Sequence, residues 1–186
     1  IVVHPRTRAG WGRLCRLLTL GNRRAKKGEC ILKLDDLLAD ARDLLLISMP
    51  PVRNRAAHLS ALLPKLEEAA PGAVWLGASM PRRGNDRRKL AELMAIGAAA
   101  QVPLIASNDT LYADPTARDL QDILTCIREG RTIETAGRLL EANAERHLKH
   151  GLEMARLFAD CPSAITETQT LLDCVEFSLA QLKYEY

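Results

Sequence analysis

Hydrophobic positions along the chain fall into short β-branched or leucine-rich runs separated by longer stretches of helical period. Ile1–His4 reads as a strand ended by Pro5. In Gly10–Leu20, Trp11, Leu14, Cys15, Leu17 and Leu18 recur close to i, i+3, i+4, i+7, the period of an amphipathic helix. Gly21–Gly28 follows as a basic loop, and Asp35 or Asp36 caps a short helix through Ala41. Leu44–Ser48 is a buried strand closed by Pro50-Pro51. Arg55–Ala70 is a helix stopped by Pro71-Gly72, and Ala73–Ala78 is the next strand. Asn85 or Asp86 opens a helix reaching Ala100, with Leu90, Leu93, Met94 and Gly97 on one face; Pro103–Ser107 is the last strand.

This β–α–β–α order predicts an α/β fold, a parallel sheet or a barrel of βα units. Ligands of such folds sit at the carboxyl ends of the strands. That directs attention to Ser48–Val52, Ser79–Asn85 and Asn108–Asp114. Beyond Ser107 the pattern turns helical. Thr116–Gly130 is expected to bury Leu120, Ile123, Leu124 and Ile127, with Gly130 as its stop. Arg131–Lys149 is polar, and two helices follow near Leu152–Asp160 and Ser163–Cys174. Two regions result, 1–115 and a helical tail 116–186. Too little apolar surface marks Arg131–Lys149 to offset its ordering entropy, so it is expected to be mobile or ordered by another molecule. Phe177, Leu179, Leu182 and Tyr184 should seek an apolar surface.

Composition narrows the picture. The 186 residues are 47% hydrophobic and 26% charged, an ordinary globular balance that removes collagen-like and disordered readings. No apolar run approaches the ~20 residues of a membrane span, and the first residues are too short an apolar run for a secretory leader. A chain opening on Ile1 rather than Met is expected to be a piece of a longer one. Cys15, Cys30, Cys126, Cys161 and Cys174 form no C-x-x-C pair, which predicts free thiols in a reducing compartment.

The net charge of +3 hides a gradient. Residues 1–34 hold nine of the 26 cations and a single anion, Glu29. Arg23, Arg24, Lys26 and Lys27 concentrate four positive charges between Gly21 and Gly28. Such a cluster is a candidate nucleic-acid contact or a solvated loop. Asp109, directly after a strand, is a candidate ligand or acid, or a turn-capping carboxylate. His147 and His150 are three apart, an incomplete set for zinc. Phosphate-cradling glycine motifs and a nucleophile elbow are absent.

Several separated stretches carry a resemblance. They are Trp11-Gly-Arg-Leu-Cys-Arg-Leu-Leu-Thr-Leu20, Gly28-Glu-Cys30, Leu120–Gly130, Leu139–Lys149, Glu153-Met154 and Phe177–Tyr186. Together they resemble the PHP (polymerase and histidinol phosphatase) region of bacterial DNA polymerase III alpha subunits, most closely their error-prone, damage-inducible homologue. The resemblance implies a distorted βα barrel, here partial, with its first strands missing and its tail leading towards a polymerase palm. Family members with a metal site place an H-x-H pair early, a cysteine after a strand matching Leu44–Ser48, and D-x-H after a late strand. Here Met49 stands at the cysteine position, and the last element reads Asp109-Thr110-Leu111. Leucine offers no lone pair and a thioether is a poor partner for hard divalent ions. Asp109 is then a vestigial position, with no catalytic residue and no metal in this chain.

The function so implied is a non-catalytic region of a damage-tolerant DNA polymerase, a nucleotidyltransferase in the bacterial cytoplasm. Its Mg2+ would serve the palm. Its partners would be DNA, the palm itself, the sliding clamp and the adaptor proteins of the mutagenesis cassette, with no membrane. Two other readings stay open: a metal-dependent phosphoesterase or proofreading exonuclease, and a nucleic-acid-binding module.

Overall fold

The computed structural model describes residues 1–51 and 55–183. Four strands form one sheet in the order β1-β2-β3-β4: β1 (Val2–Pro5), β2 (Leu44–Ser48), β3 (Val74–Ala78) and β4 (Leu104–Ala106). β2, β3 and β4 run parallel, joined by α3 (Arg55–Ala69) and α4 (Asp86–Ala100) as the sequence pattern predicts.

β1 departs from that expectation. It pairs antiparallel with β2, Val2 opposite Ile47 and Pro5 opposite Leu44. The reason lies in the connection. α1 (Arg8–Arg23) leads away from the sheet, and the chain returns through α2 (Leu34–Leu38) to the end it left. The Arg6 amide donates to the Asp43 carbonyl at 2.8 Å across that junction. An out-and-back excursion restores the chain to the same end, so the next strand runs the opposite way. The expected barrel is likewise corrected: among the described residues the sheet is open and does not close on itself.

Two further boundaries move. Gly21–Gly28 is not wholly a loop, since α1 continues through Arg23. Gly21 is buried there, where a Cβ would lie 2.5 Å from Cys30 Sγ. Gly10 is needed for the same kind of approach, as a Cβ would stand 2.1 Å from the Asp43 carbonyl oxygen. The helix expected to reach Ala41 is shorter, ending at Leu38. Its entry is held by the Lys33 amide donating to Asp36 Oδ2 at 2.8 Å.

Strand alternation divides the core. Leu44, Leu46, Val74, Leu76, Leu104 and Ala106 face one layer with Leu59, Leu63, Leu66, Leu90 and Leu93 of α3 and α4. Leu45, Trp75 and Ile105 face the other, against Leu171 and Cys174. α8 (Ser163–Asp173) lies along β4, and Trp75 Nε1 donates to Glu167 Oε2 at 2.8 Å. This covers a sheet edge that would otherwise present unpaired backbone groups.

α5 (Arg118–Glu129), which ends at Gly130 in the left-handed conformation, reverses its expected orientation. Leu120 and Ile127 are 60% and 71% exposed, and Ile123 and Leu124 are also exposed. Thr125 and Cys126 are the buried residues of this helix. Its polar face turns inward because Arg118 Nη2 donates to the Glu141 carbonyl at 2.7 Å and pairs with Asp122.

Arg131–Lys149 also differs from expectation. It contains α6 (Ile133–Ala136) and is fastened to the strand ends by polar contacts within the chain. Apolar area, on which the expectation rested, is not what anchors it. α7 (Gly151–Leu157) follows, opened by His150, whose ring accepts from the Leu152 amide. Near the chain's end, Phe177 stacks on Trp11 at 5.4 Å between ring centroids, and Leu179 stays exposed. Tyr184 and Val52 lie outside the described residues.

Candidate functional site

The carboxyl ends of β2, β3 and β4 open into a cavity of about 540 Å³. Pro50 and Pro51 reach it from β2, Ser79 and Pro81 from β3, and Asn108 and Asp109 from β4. Arg83, Lys89, Glu141 and Arg146 complete its polar wall. The strand-end segments singled out in the sequence are thus brought to one place, as parallel β–α alternation requires.

Asp109 sits at a strained bend, with φ at 46°. Asp tolerates this left-handed region better than most residues. The bend is supported locally, since the Asp109 amide donates to Ser107 Oγ at 3.1 Å. Arg146 then closes on it twice. Nη2 lies 2.7 Å from Asp109 Oδ2, and Nε donates to the Asp109 carbonyl at 2.7 Å. The third arm of the guanidinium, Nη1, donates to Glu141 Oε1 at 2.7 Å. Arg83 bonds the other Glu141 oxygen. The fixed fork of the guanidinium suits such multiple recognition in a way an ammonium does not.

The segment bearing Arg146 is held from both sides. Asn108 Nδ2 donates to the carbonyls of Glu145 and His147, and Asn143 Nδ2 donates to that of Pro81 at 2.8 Å. The Leu111 amide donates to the Arg146 carbonyl at 2.8 Å, and Tyr112 bridges His147 in parallel fashion. Beneath them Lys149 has a fully buried side chain, its Nζ 3.0 Å from Glu145 Oε2 and 2.8 Å from the Glu145 carbonyl. Burial acts to raise the Glu145 carboxyl. The Lys149 hydrogen bond and charge, with Arg82 and His147, outweigh it and hold the carboxyl below its ordinary range.

These contacts test the fit of a divalent metal. The Asp109 carboxylate is already met by a cation of the chain, and Leu111 contributes only its backbone. The Met49 thioether packs against the bare α-carbon of Gly77, where a Cβ would stand 2.3 Å from its sulfur. His147 turns Nδ1 towards the Ala144 carbonyl at 2.8 Å, and His150 caps α7. Among the described residues the donor set therefore does not fit a phosphoesterase metal cluster.

The second candidate, the basic cluster, lies elsewhere, on α1 and the turn after it. Arg23, Lys26 and Lys27 are exposed, with no ion pair among the described residues. Arg24 differs, its guanidinium being bound to Asp36. That hydrogen bond raises Arg24 and holds the Asp36 carboxyl below the usual range. Arg83 falls within the strand-end segment Ser79–Asn85 that the sequence singled out, but Glu141 and Arg146 were not legible as site residues. Their spacing follows no motif, and the only cue was the polarity of the 131–149 stretch.

No protein-family profile matches the chain. Among curated relatives, it is 52% identical over its whole length to an error-prone DNA polymerase of Bradyrhizobium sp. (strain ORS 278), covering 16% of that protein. It is 50% identical to an error-prone DNA polymerase of Rhodopseudomonas palustris (strain BisB5) and 49% identical to one of Brucella abortus biovar 1 (strain 9-941). In both cases all of this chain matches 17% of the relative. The chain spans about one sixth of the length of the relatives it matches. No helix among the described residues is long and apolar enough to cross a membrane.

Proposed function

We propose that this chain is a non-catalytic, PHP-like region of an error-prone DNA polymerase, serving DNA synthesis across damage as an architectural part of that larger enzyme in the bacterial cytoplasm. Full-length similarity to error-prone DNA polymerases supports the assignment to the enzyme. One observation supports the non-catalytic role: the Arg146 guanidinium takes both the carboxylate and the carbonyl of Asp109, where a metal-using relative would need the carboxylate free. A protein cation there holds the 131–149 segment against the strand ends and supplies rigidity in place of reactivity. The outward apolar row of α5 is surface of the kind a larger body covers, and the remainder of the polymerase is its natural occupant. DNA, the palm, the clamp and the adaptor proteins would be partners of the whole enzyme.

The test is a metal titration. Clean chain is incubated with Mn2+ or Zn2+ and either single-stranded DNA or a chromogenic phosphate monoester. No hydrolysis above the metal-only background is expected, and Leu111→His alone should not create any. Hydrolysis that rises with metal and is lost in Asp109→Asn would overturn the non-catalytic reading.

A further inference from the structure

The cations of α1 divide into two groups by position. Those turned towards the body are neutralised: Arg13 by Asp40 and Asp43, and beyond the helix Arg24 by Asp36. Arg8, Arg16 and Arg23 are exposed and have no ion-pair partner among the described residues. At 100° per residue these three fall within an arc of about 80°, opposite the buried Gly10 and Gly21. Gly12 and Thr19, short and neutral, lie between them on the same face. Lys26 and Lys27, also exposed, follow in the turn past the helix end. At ~1.5 Å rise per residue the helical part extends about 22 Å.

Helix stability accounts for Arg23 alone, a cation in the last turn where it suits the helix dipole, and not for the rest of the row. α1 contains no acidic residue, so i,i+4 pairing is absent. Arg8 occupies the first turn, where a cation opposes the helix dipole. Surfaces built for solubility intersperse both signs. A single-sign row spaced at roughly 10–12 Å, raised on a helix that holds no carboxylate and with Glu29 as the one anion near Lys26 and Lys27, matches an extended polyanion.

We propose that the outer face of α1, through Arg8, Arg16 and Arg23 with Lys26 and Lys27, is a binding site for the phosphodiester backbone of DNA. The choice of DNA rests on the polymerase reading above; the row itself does not. Contact is electrostatic and sequence-independent, since only phosphate-reaching side chains line the face. Single strands and duplex present the same phosphates at different densities, and the salt dependence tells them apart.

The experiment measures fluorescence anisotropy of the 186-residue chain with a labelled primer–template duplex and with the single strand alone, between 50 and 200 mM salt. The triple variant Arg8→Gln, Arg16→Gln, Arg23→Gln is compared with a control of equal charge change, Lys65→Gln, Arg131→Gln, Arg138→Gln, all exposed. Circular dichroism confirms that both variants are folded. The α1 variant is expected to weaken binding at least tenfold. It should also flatten the slope of log K against log salt by about 2–3, at ~0.9 per lost contact on duplex or ~0.7 on single strands. The control should change affinity less than twofold. Equal losses in the two variants would reduce the effect to net charge and overturn the site, as would wild-type binding absent at 50 mM salt. Neither result bears on the hydrolysis assay, so the site can fail while the non-catalytic reading stands.

Discussion

At the scale of the residue, the chain's chemistry turns on what Asp109 meets. A carboxylate at the end of a parallel strand is open to a metal, a proton or a cation of the chain, and here Arg146 decides the matter. The arginine side chain is 21% exposed and its three bonds, each 2.7 Å, engage one carbonyl and two carboxylates. Charge-assisted bonds of this type contribute more than neutral ones, and losing one partner strands the other. Arg146→Met is therefore expected to lower unfolding stability by about 2 kcal/mol. Urea denaturation reads this directly, and an unchanged midpoint would show that the cluster contributes nothing.

At the scale of the element, α5 shows that an apolar period demands a surface without saying whose. Its stripe points to solvent in this chain, while Thr125 and Cys126 turn inward. Stability measurements on two substitutions follow from that placement. Leu124→Ser, at a half-exposed position, is expected to change stability by less than ~0.5 kcal/mol. Leu63→Ala, in the fully buried layer between α3 and the sheet, is expected to cost about 2–5 kcal/mol. Comparable losses would mean that the α5 face is buried in solution. The pattern of α3 and α4 carried no such ambiguity, since each lies between two strands and has a sheet to cover.

At the scale of the whole molecule, acid stability rests on surface carboxyls spread along the chain, each held by a partner within about a dozen residues. Asp36 is held down by its bond to Arg24, and Asp40 by its bond to Arg42 with help from Arg13. Thr116 does the same for Asp114, and Lys149 for Glu145 against the opposing effect of burial. Each carboxyl titrates lower folded than unfolded, so the stability it supplies is complete above the unfolded value, about 4. It is lost as pH falls through the lower folded values. Urea midpoints are expected to stay level from pH 7 to 5 and to drop below about pH 4, less steeply in Asp36→Asn. A midpoint that rises on acidification would contradict the assigned pairs.

The sequence by itself determined the elements whose signals are local. Prolines and glycines punctuate β2, α3, β3, α4 and β4 within a residue or two of where they lie, and Gly130 ends α5. Asp109 was legible as a strand-end carboxylate for the same reason. Tertiary structure alone decided the direction of β1, the face α5 buries, and the polar anchoring of 131–149. It also brought Arg146 onto Asp109 across 37 residues and drew Arg24 out of the basic cluster onto Asp36. Periodicity and capping act within a turn or a strand. Pairing of charges depends on how close two distant segments come, and no local pattern encodes that distance.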